Sequence, residues 1–268
     1  MKKLTIIIPA RYGSSRFEGK PLAMIAGMSM LQRVVNIATK ATKHINGADI
    51  VVATEDERIR QHALDIGSKV VLTSDQCRTG SDRALDACGQ LDYSPDYVIN
   101  LQGDAPLTSP AFVEAIANEL LRNAGEDVVT PVVQLSWQAL DDLRESKKTT
   151  PFSGTTAIVS NGNALWFSKN IIPAIRKEEK LRCVEKLSPI LKHVGLYGFK
   201  YAALKKFVSL EESNYEGLEG LEQLRMIEAG MRIKVIKVDF AVTQQIGVDT
   251  KEDLIRVEKI IEKYGEII

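Results

Sequence analysis

The chain has 268 residues, 44% of them hydrophobic, which is enough to bury the core of one α/β domain. Lysine plus arginine and aspartate plus glutamate both total 35, so no net charge favours binding to nucleic acid or an anionic membrane. Aromatic residues make up only 6% and the apolar runs are too short to span a bilayer, which argues against base-stacking surfaces and membrane insertion.

Short apolar runs alternate with helical periodicity through the first half of the chain. The strands predicted there are Leu4–Ile8, Asp49–Ala53, Lys69–Thr73 and Tyr97–Leu101. The predicted helices begin with one from Met28 capped by Ser29, and then cover Glu55–Ile66, Ser81–Gln90 and Ser109–Arg122. This alternation predicts an α/β fold with a mostly parallel sheet covered by helices on both faces. Ligands of such sheets bind beyond the carboxyl ends of the strands.

The pattern is less regular after Asp127–Val133. Strands are predicted at Ala164–Phe167, Val194–Phe199 and Arg232–Val238, and helices at Tyr201–Phe207, Leu218–Glu228 and Lys251–Tyr264. The charge run Arg144–Lys148 predicts a solvated face or a mobile loop. No repeat or linker interrupts the chain, so residues 1–268 are predicted to form one domain.

The loop after the first predicted strand concentrates cations and glycines, namely Arg11, Gly13, Arg16, Gly19 and Lys20. Glycines let backbone N–H groups approach an anion and cations offset its charge, so this loop predicts a polyphosphate site. The alternative is a solvated basic loop. The loop is not a P-loop, because five residues separate its glycines and a proline follows its lysine. The dinucleotide fingerprint G-x-G-x-x-G is also absent.

Three further polar positions fall at predicted strand or helix ends. Arg83 lies in a segment that opens a helix, for which Ser81 or Asp82 is the expected N-cap. Asp104 follows a glycine after the fourth strand, and Asp249 precedes the last helix; each has an alternative role as a turn or cap residue. Beside a triphosphate the carboxylate of Asp104 suits Mg²⁺, which prefers a few hard oxygens plus phosphate.

The loop resembles the R-x-x-S-x-R-x-x-G-K-P-L signature of sugar nucleotidyltransferases, in particular the CMP-Kdo synthetases (3-deoxy-manno-octulosonate cytidylyltransferases). The resemblance covers nearly the whole chain. Arg83 matches the arginine of the motif G-T/S-D/E-R, and Asp104 matches the aspartate of Q-G-D-E-P. Gly247–Thr250 matches the motif G-V-D-T. His193–Phe199 is similar to H-x-G-x-Y-G-Y/F, and Leu221–Arg225 to L-E-Q-L-R.

The resemblance implies a Rossmann-like nucleotide-diphospho-sugar transferase sheet with a smaller sugar-binding and dimerising elaboration. Residues 1–135 would mainly bind the nucleotide, and residues 136–268 would mainly bind the sugar and form a homodimer. The implied reaction joins CTP and a 3-deoxy-ulosonic acid, Kdo or a close analogue such as 8-amino-Kdo, to give the CMP-sugar and pyrophosphate. Its products serve lipopolysaccharide or capsule synthesis, and neither nucleic acid nor a membrane is an implied partner.

The resemblance also implies roles residue by residue. The implied catalytic residues are Arg11, Arg16, Lys20, Asp104 and Asp249, the last two as ligands of the implied cofactor Mg²⁺. The implied nucleotide contacts are Ala10, Arg11, Gly13, Ser14, Ser15, Lys20, Arg83 and Asp104, with Arg83 donating to O2 and N3 of cytosine. The implied sugar contacts are Gln102, Lys169, His193, Tyr197, Glu222 and Gln223. His193 and Tyr197, four residues apart, are expected on one side of a strand.

Three positions depart from the family pattern. Ala105 replaces the acidic residue of Q-G-D-E-P, which removes a carboxylate from the surroundings of the metal. Lys169 replaces the arginine of F-S-R-x-x-I-P, and a lysine lacks the two-pronged fork of a guanidinium. Pro151–Thr155 lacks the lysine of P-N-x-V-K. The last two changes lie in the sugar-facing half, so the motifs are more specific for cytidylyl transfer than for Kdo.

Other functions stay open on sequence alone. One is a cytidylyltransferase for an alcohol phosphate or a nonulosonic acid. Another is an NAD(P)-binding oxidoreductase, which the missing glycine fingerprint opposes. A third is a non-catalytic nucleotide-binding module, which the presence of Lys20 and both carboxylates opposes. Three cysteines without a C-x-x-C pair, and no signal-peptide pattern, predict reduced thiols and a cytoplasmic protein.

Overall fold

Strands and helices alternate along the part of the chain described by this computed structural model, which covers residues 2–13, 16–122, 125–239 and 247–266. Ser14 and Ser15, both predicted nucleotide contacts, lie outside the described residues. The strands are β1 Leu4–Pro9, β2 Met24–Ile25, β3 Met28–Ser29, β4 Asp49–Thr54, β5 Lys69–Leu72, β6 Tyr97–Asn100, β7 Val128–Ser136, β8 Thr156–Ser160, β9 Asn163–Ser168, β10 Leu187–His193, β11 Tyr197–Lys200 and β12 Ile233–Val238. The helices are α1 Met30–Thr42, α2 Glu57–Asp65, α3 Gly80–Gly89, α4 Pro110–Arg122, α5 Trp137–Thr149, α6 Glu178–Val184, α7 Tyr201–Val208, α8 Asn214–Glu219, α9 Gln223–Glu228 and α10 Lys251–Tyr264.

The described residues group into two compact units. Unit 1 contains the described residues of 2–122, 196–208 and 247–266, and unit 2 contains residues 125–195 and 209–239. The single domain predicted for residues 1–268, with halves that divide at residue 135, stays a prediction. None of the helices in the described ranges is long and apolar enough to cross a membrane.

Unit 1 is built on strands in the order β11-β6-β1-β4-β5. Strands β6, β1, β4 and β5 are parallel, and β11 is antiparallel to β6. Every residue of β1 is buried, as its apolar run predicts. Helices α1 and α3 both contact β1 and β4, and Ser29 caps α1 by accepting a hydrogen bond from the Gln32 N–H, as predicted. The predicted α/β class, a parallel sheet with helices packed on it, is confirmed in this unit.

Two glycines allow the loop after β1 and the turn after β6 to meet. A Cβ on Gly103 would lie 2.6 Å from the carbonyl oxygen of Pro9, so only glycine permits this approach. Gly19 has φ +67°, donates its N–H to the carbonyl of Tyr12 at 2.9 Å and packs on the Tyr12 ring. The loop after β1 is thereby folded back beside the turn that carries Asp104.

Helix α10 packs on the β2–β3 hairpin in unit 1. Their shared apolar cluster buries Ile25, Met30, Leu107, Val248, Val257 and Ile261. Arg33, which is 1% exposed, donates to both carboxylate oxygens of Glu266 at 2.7 and 3.0 Å and to the carbonyl of Ile25. These contacts fix residues 247–250, the segment that leads into α10.

Unit 2 has strands in the order β10-β8-β9-β12-β7. Because β10 also pairs with β7, the first and last strands of this order are hydrogen-bonded to each other. Only β7 and β12 are parallel, and the other pairings in this unit are antiparallel. The mostly parallel arrangement predicted from the sequence therefore describes unit 1 and not unit 2. Asn161 and Gly162, with φ of 50° and 74°, form the tight turn between β8 and β9 that makes this pair antiparallel.

Two predictions for the second half were wrong. The predicted strand at 194–199 begins in the connection after β10, which ends at His193, and only its residues 197–199 belong to β11. His193 and Tyr197 therefore lie on different strands. The alternation of side chains along one strand, on which their predicted common side depended, does not apply to them. The predicted helix Leu218–Glu228 is interrupted because Gly220 adopts φ 62° and ends α8. The run Arg144–Lys148 lies within α5 with Glu145 and Lys148 exposed, so the predicted solvated face is confirmed and the alternative of a mobile loop is not.

Candidate active site

A cavity of about 230 Å³ lies in unit 1 where β1 and β6 end. Predicted site residues that line it are Ala10, Arg11, Arg16, Lys20, Arg83, Gln102, Asp104 and Asp249. Residues from the β1 loop, the start of α3, the β6 turn and the segment before α10 thus share one space, although they are far apart in sequence. Gly13 is described but is not part of the lining. The cavity occupies the position that the parallel sheet predicts.

Lys20 is the centre of the polar contacts at this cavity. Its Nζ donates to Oδ2 of Asp104 at 2.7 Å, to Oδ1 of Asp249 at 3.2 Å and to the carbonyl of Val248 at 3.1 Å. Lys20 is only 8% exposed, so these bonds act in partly desolvated surroundings. Thr250, rather than Asp249, caps α10. The cap role considered for Asp249 is therefore wrong, and its carboxylate is directed to Lys20 instead.

The two carboxylates are chemically suited to Mg²⁺. The Asp104 and Asp249 side chains are 36% and 50% exposed, and each has one oxygen in contact with Lys20. Their convergence on one ammonium shows that both can reach a common cation. Within the described ranges, no group of three or more His, Cys, Asp or Glu side chains could hold a metal. A pair of carboxylates completed by substrate phosphates is the arrangement that Mg²⁺ usually takes.

Cationic side chains of the β1 loop border the carboxylate pair. Arg16, whose side chain is 69% exposed, has Nη1 3.5 Å from Oδ2 of Asp249. Arg11 is exposed and lines the same cavity. Together with Lys20, Arg11 and Arg16 give this side of the cavity three positive charges, against the two negative charges of Asp104 and Asp249. This excess of positive charge favours a polyanionic ligand.

Arg83 is 4% exposed and is held by one of its nitrogens. Its Nη1 donates to Oγ1 of Thr73 at 2.5 Å and lies 2.8 Å from Oε2 of Glu55. These contacts all use Nη1, and Arg83 is also part of the cavity lining. Thr79 forms the capping box of α3 with Asp82, so the expected N-cap at Ser81 or Asp82 was wrong.

Glu55 is a site residue that the sequence analysis missed. We predicted it as the first residue of a helix, but α2 begins at Glu57 and Asp56 is its N-cap. Glu55 therefore lies in the connection after β4, at the strand end next to the cavity. A carboxylate directly after a buried strand was the available signal, since the carboxyl ends of parallel strands share one edge.

The predicted sugar contacts divide between the two units. Gln102 is in unit 1, where it packs so closely on Gly80 that a Cβ there would lie 2.8 Å from its Oε1. Tyr197, on β11 of unit 1, is 6% exposed. The others belong to unit 2: Lys169, His193, Glu222 and Gln223. The roles given to all of these residues stay predictions.

His193 is a buried, neutral imidazole within unit 2. Its Nε2 lies 2.8 Å from Oγ1 of Thr130, and its ring centroid is 4.9 Å from that of Phe167. Burial, together with the charge of Lys169, lowers the pKa of His193 to about 3. The ring therefore stays uncharged at neutral pH and acts through hydrogen bonds and packing.

Lys147 of α5 is a second residue that the sequence analysis missed. Its Nζ donates to the carbonyls of Ser153 and Lys169, both at 2.5 Å, and to those of Pro151 at 3.2 Å and Gly154 at 3.3 Å. Burial lowers the pKa of Lys147, and nearby lysines add to this effect. Lys147 thus ties the segment that lacks the P-N-x-V-K lysine to the backbone of Lys169.

The parallel sheet of unit 1, with a cationic loop and a carboxylate pair at its carboxyl edge, defines an α/β protein built to bind a nucleotide. A family model described as cytidylyltransferase matches residues 5–233. The chain belongs to the cytidylyltransferase family, and it is thus an enzyme of the nucleotidyltransferase type.

Individual relatives agree with this membership. The chain is 41% identical to a 3-deoxy-manno-octulosonate cytidylyltransferase of Maricaulis maris, over 98% of both chains. It is 37% identical to an 8-amino-3,8-dideoxy-manno-octulosonate cytidylyltransferase of Shewanella baltica, over 96% of this chain and 97% of that one. A solved structure of a CMP:2-keto-3-deoxy-manno-octonic acid synthetase complexed with CTP superposes with a TM-score of 0.82 at 33% identity, over 98% and 99% of the chains. The predicted resemblance to the CMP-Kdo synthetases is confirmed.

Proposed function

We propose that this chain transfers the cytidylyl group of CTP to a 3-deoxy-ulosonic acid, either Kdo or a close analogue such as 8-amino-Kdo. The observation that carries the proposal is the convergence of Lys20, Asp104 and Asp249 at the cavity formed by the signature loop. Relatives named for Kdo and for 8-amino-Kdo cover nearly the whole chain at similar identity, which supports this substrate class and keeps both sugars as candidates.

The proposed reaction is an in-line displacement at phosphorus. The anomeric hydroxyl of the sugar forms a bond to the α-phosphorus as the bond to pyrophosphate breaks, and the hydroxyl proton leaves to water. Arg11, Arg16 and Lys20 hold the triphosphate and offset the charge that develops on it, which makes the catalysis mainly electrostatic and positional. Arg83 offers Nη2 and Nε to O2 and N3 of cytosine.

Asp104 and Asp249 would hold Mg²⁺ at the end of the cavity. When bound, the ion supplies positive charge at the phosphates and lowers the pKa of a coordinated hydroxyl. Lys20, which contacts both carboxylates, would hold them close together for this role. We further propose a homodimer that works in the cytoplasm and supplies lipopolysaccharide or capsule synthesis.

The test is pyrophosphate release from CTP with a panel of acceptors, followed by the mass of the product. The panel contains Kdo, 8-amino-Kdo, a nonulosonic acid and an alcohol phosphate, at millimolar Mg²⁺ and with a chelator control. We expect release with Kdo or 8-amino-Kdo, and a product mass equal to the sugar plus a cytidylyl group. Release with only the nonulosonic acid or the alcohol phosphate would replace the proposed substrate class, and no release with any acceptor would refute the proposed activity.

A further inference from the structure

Glu55 contacts Arg83, which lines the cavity, and Tyr12, which directly follows the lining residue Arg11, through its two carboxylate oxygens. Oε2 lies 2.8 Å from Nη1 of Arg83, and Oε1 accepts a hydrogen bond from the backbone N–H of Tyr12 at 3.2 Å. The Glu55 and Arg83 side chains are 20% and 5% exposed, so the ion pair is largely shielded from water. A buried guanidinium without a charged partner would be strongly unfavourable, which gives this carboxylate a reason to stay in place.

The Tyr12 contact reaches the loop that carries the phosphate-binding cations. Tyr12 follows Arg11 directly, and its carbonyl accepts the Gly19 N–H at 2.9 Å, immediately before Lys20. The guanidinium carbon of Arg58 lies 3.3 Å from the centroid of the Tyr12 ring. Residues just after β4 therefore hold Tyr12 both by its backbone and by its ring.

We propose that Glu55 is a positioning residue that couples recognition of the base to binding of the triphosphate. One oxygen holds Nη1 of Arg83, which lines the cavity, and the other holds the Tyr12 backbone directly after Arg11. This inference rests on the proposed function of Arg83 and of the β1 loop in binding CTP. It assigns Glu55 no contact with the ligand itself.

Substitutions at Glu55 separate this role from a merely structural one. Glu55→Ala removes both contacts, so Arg83 and the β1 loop each lose a constraint. Glu55→Asp keeps the negative charge beside Arg83 on a side chain one methylene shorter. Glu57→Ala is the matched control, because Glu57 lies two residues further on and pairs only with the exposed Arg60 among the described residues.

The experiment measures the dissociation constants of CTP, UTP and inorganic tripolyphosphate by calorimetry for wild type and the three variants. For Glu55→Ala we expect CTP to bind about tenfold more weakly and the preference for CTP over UTP to fall by about the same factor. Tripolyphosphate, which has no base, should bind about threefold more weakly, since only the loop contact is lost. Glu55→Asp should recover most of the base preference, and Glu57→Ala should match wild type.

Each alternative result has a definite meaning. An unchanged ratio of CTP to UTP affinity in Glu55→Ala would overturn the link to Arg83, and unchanged tripolyphosphate affinity would overturn the link to the loop. Thermal unfolding of each variant shows whether it is folded. If Glu55→Ala is misfolded, the ratio of CTP to UTP affinity in Glu55→Asp decides the test instead. The binding assay contains no sugar acid, so failure of the proposed sugar activity leaves this test intact.

Discussion

Nζ of Lys20 lies 2.7 Å from Oδ2 of Asp104, although 84 residues separate them in the chain. The contact requires the close approach at Gly103, where any side chain would strike the carbonyl of Pro9. An ammonium and a carboxylate that arrive from two different strand ends thus meet at one point of the cavity. The arrangement also brings in Asp249, the second carboxylate on the same ammonium.

The first prediction concerns this carboxylate pair. Asp104→Asn or Asp249→Asn should lower kcat by about a hundredfold or more at millimolar Mg²⁺, because an amide is a much poorer ligand for a hard cation. The control Asp75→Asn changes an exposed carboxylate outside the cavity lining and should leave kcat unchanged. Steady-state kinetics across a range of Mg²⁺ concentrations check this. Near-normal kcat with no increase in the Mg²⁺ requirement would show that the residue is only part of a turn.

The second prediction concerns Lys147. Lys147→Met removes the donor shared by four carbonyls and should raise KM for the sugar acid about tenfold while KM for CTP stays unchanged. The free energy of unfolding should also fall by about 1 kcal/mol, since the part-buried carbonyls of Gly154 and Lys169 lose a charged donor. Lys148→Met is the control, because Lys148 is 69% exposed and pairs only with Glu145 among the described residues. Equal effects of the two substitutions would contradict the role of Lys147.

The third prediction tests how the sugar site departs from the family pattern. Lys169→Arg should not improve KM for the best sugar of the acceptor panel, because the side chain is part-buried, which leaves less room for the larger guanidinium group. Saturation kinetics with Kdo and with 8-amino-Kdo provide the measurement. A large fall in KM for Kdo alone, with CTP kinetics unchanged, would instead indicate an ordinary Kdo site with a weakened contact.

The fourth prediction concerns pH. The folded pKa of His193 is about 3, below the ordinary value of 6.5, because the ring is buried beside Lys169. Between these two values the unfolded chain binds a proton that the folded chain does not. Stability is therefore fully present above about pH 6.5 and is lost as the pH falls toward 3, by up to about 1.4 kcal/mol per pH unit.

Urea unfolding at pH 7, 6 and 5 measures this slope. In His193→Gln the loss between pH 7 and 5 should be smaller than in wild type, since the amide does not titrate. His44 is exposed, so His44→Gln should keep the wild-type slope. The idea is refuted if all three proteins lose stability equally over this range.

The parts of the fold that the sequence predicted are those fixed by local chemistry. The apolar run of β1 and the Ser29 cap of α1 depend on neighbouring residues, and both were predicted correctly. The hairpin between β8 and β9 was missed although Asn161-Gly162 is a strong turn signal, because the adjoining strands alternate poorly.

The parts of the site that were missed depend on contacts between distant segments. Lys147 donates hydrogen bonds to backbone carbonyls, and every residue has a carbonyl, so the sequence does not show which ones a lysine will bind. Glu55 was included in a helix because Asp56 and Glu57 beside it are equally good helix starters. The loop cations were identified from their concentration between a strand and a helix, and the resemblance paired them with Asp104 and Asp249, whose role as metal ligands stays a prediction.

The buried fork between Arg33 and Glu266 has a consequence for how this protein tolerates variation. A Glu266→Lys change would place a second positive charge beside the Arg33 guanidinium, whose side chain is 1% exposed, at a cost of about 1–3 kcal/mol. Losses of that size shift a marginally stable protein toward degradation in the cell. The abundance of the protein in the cell therefore depends on a carboxylate that lies outside the cavity lining.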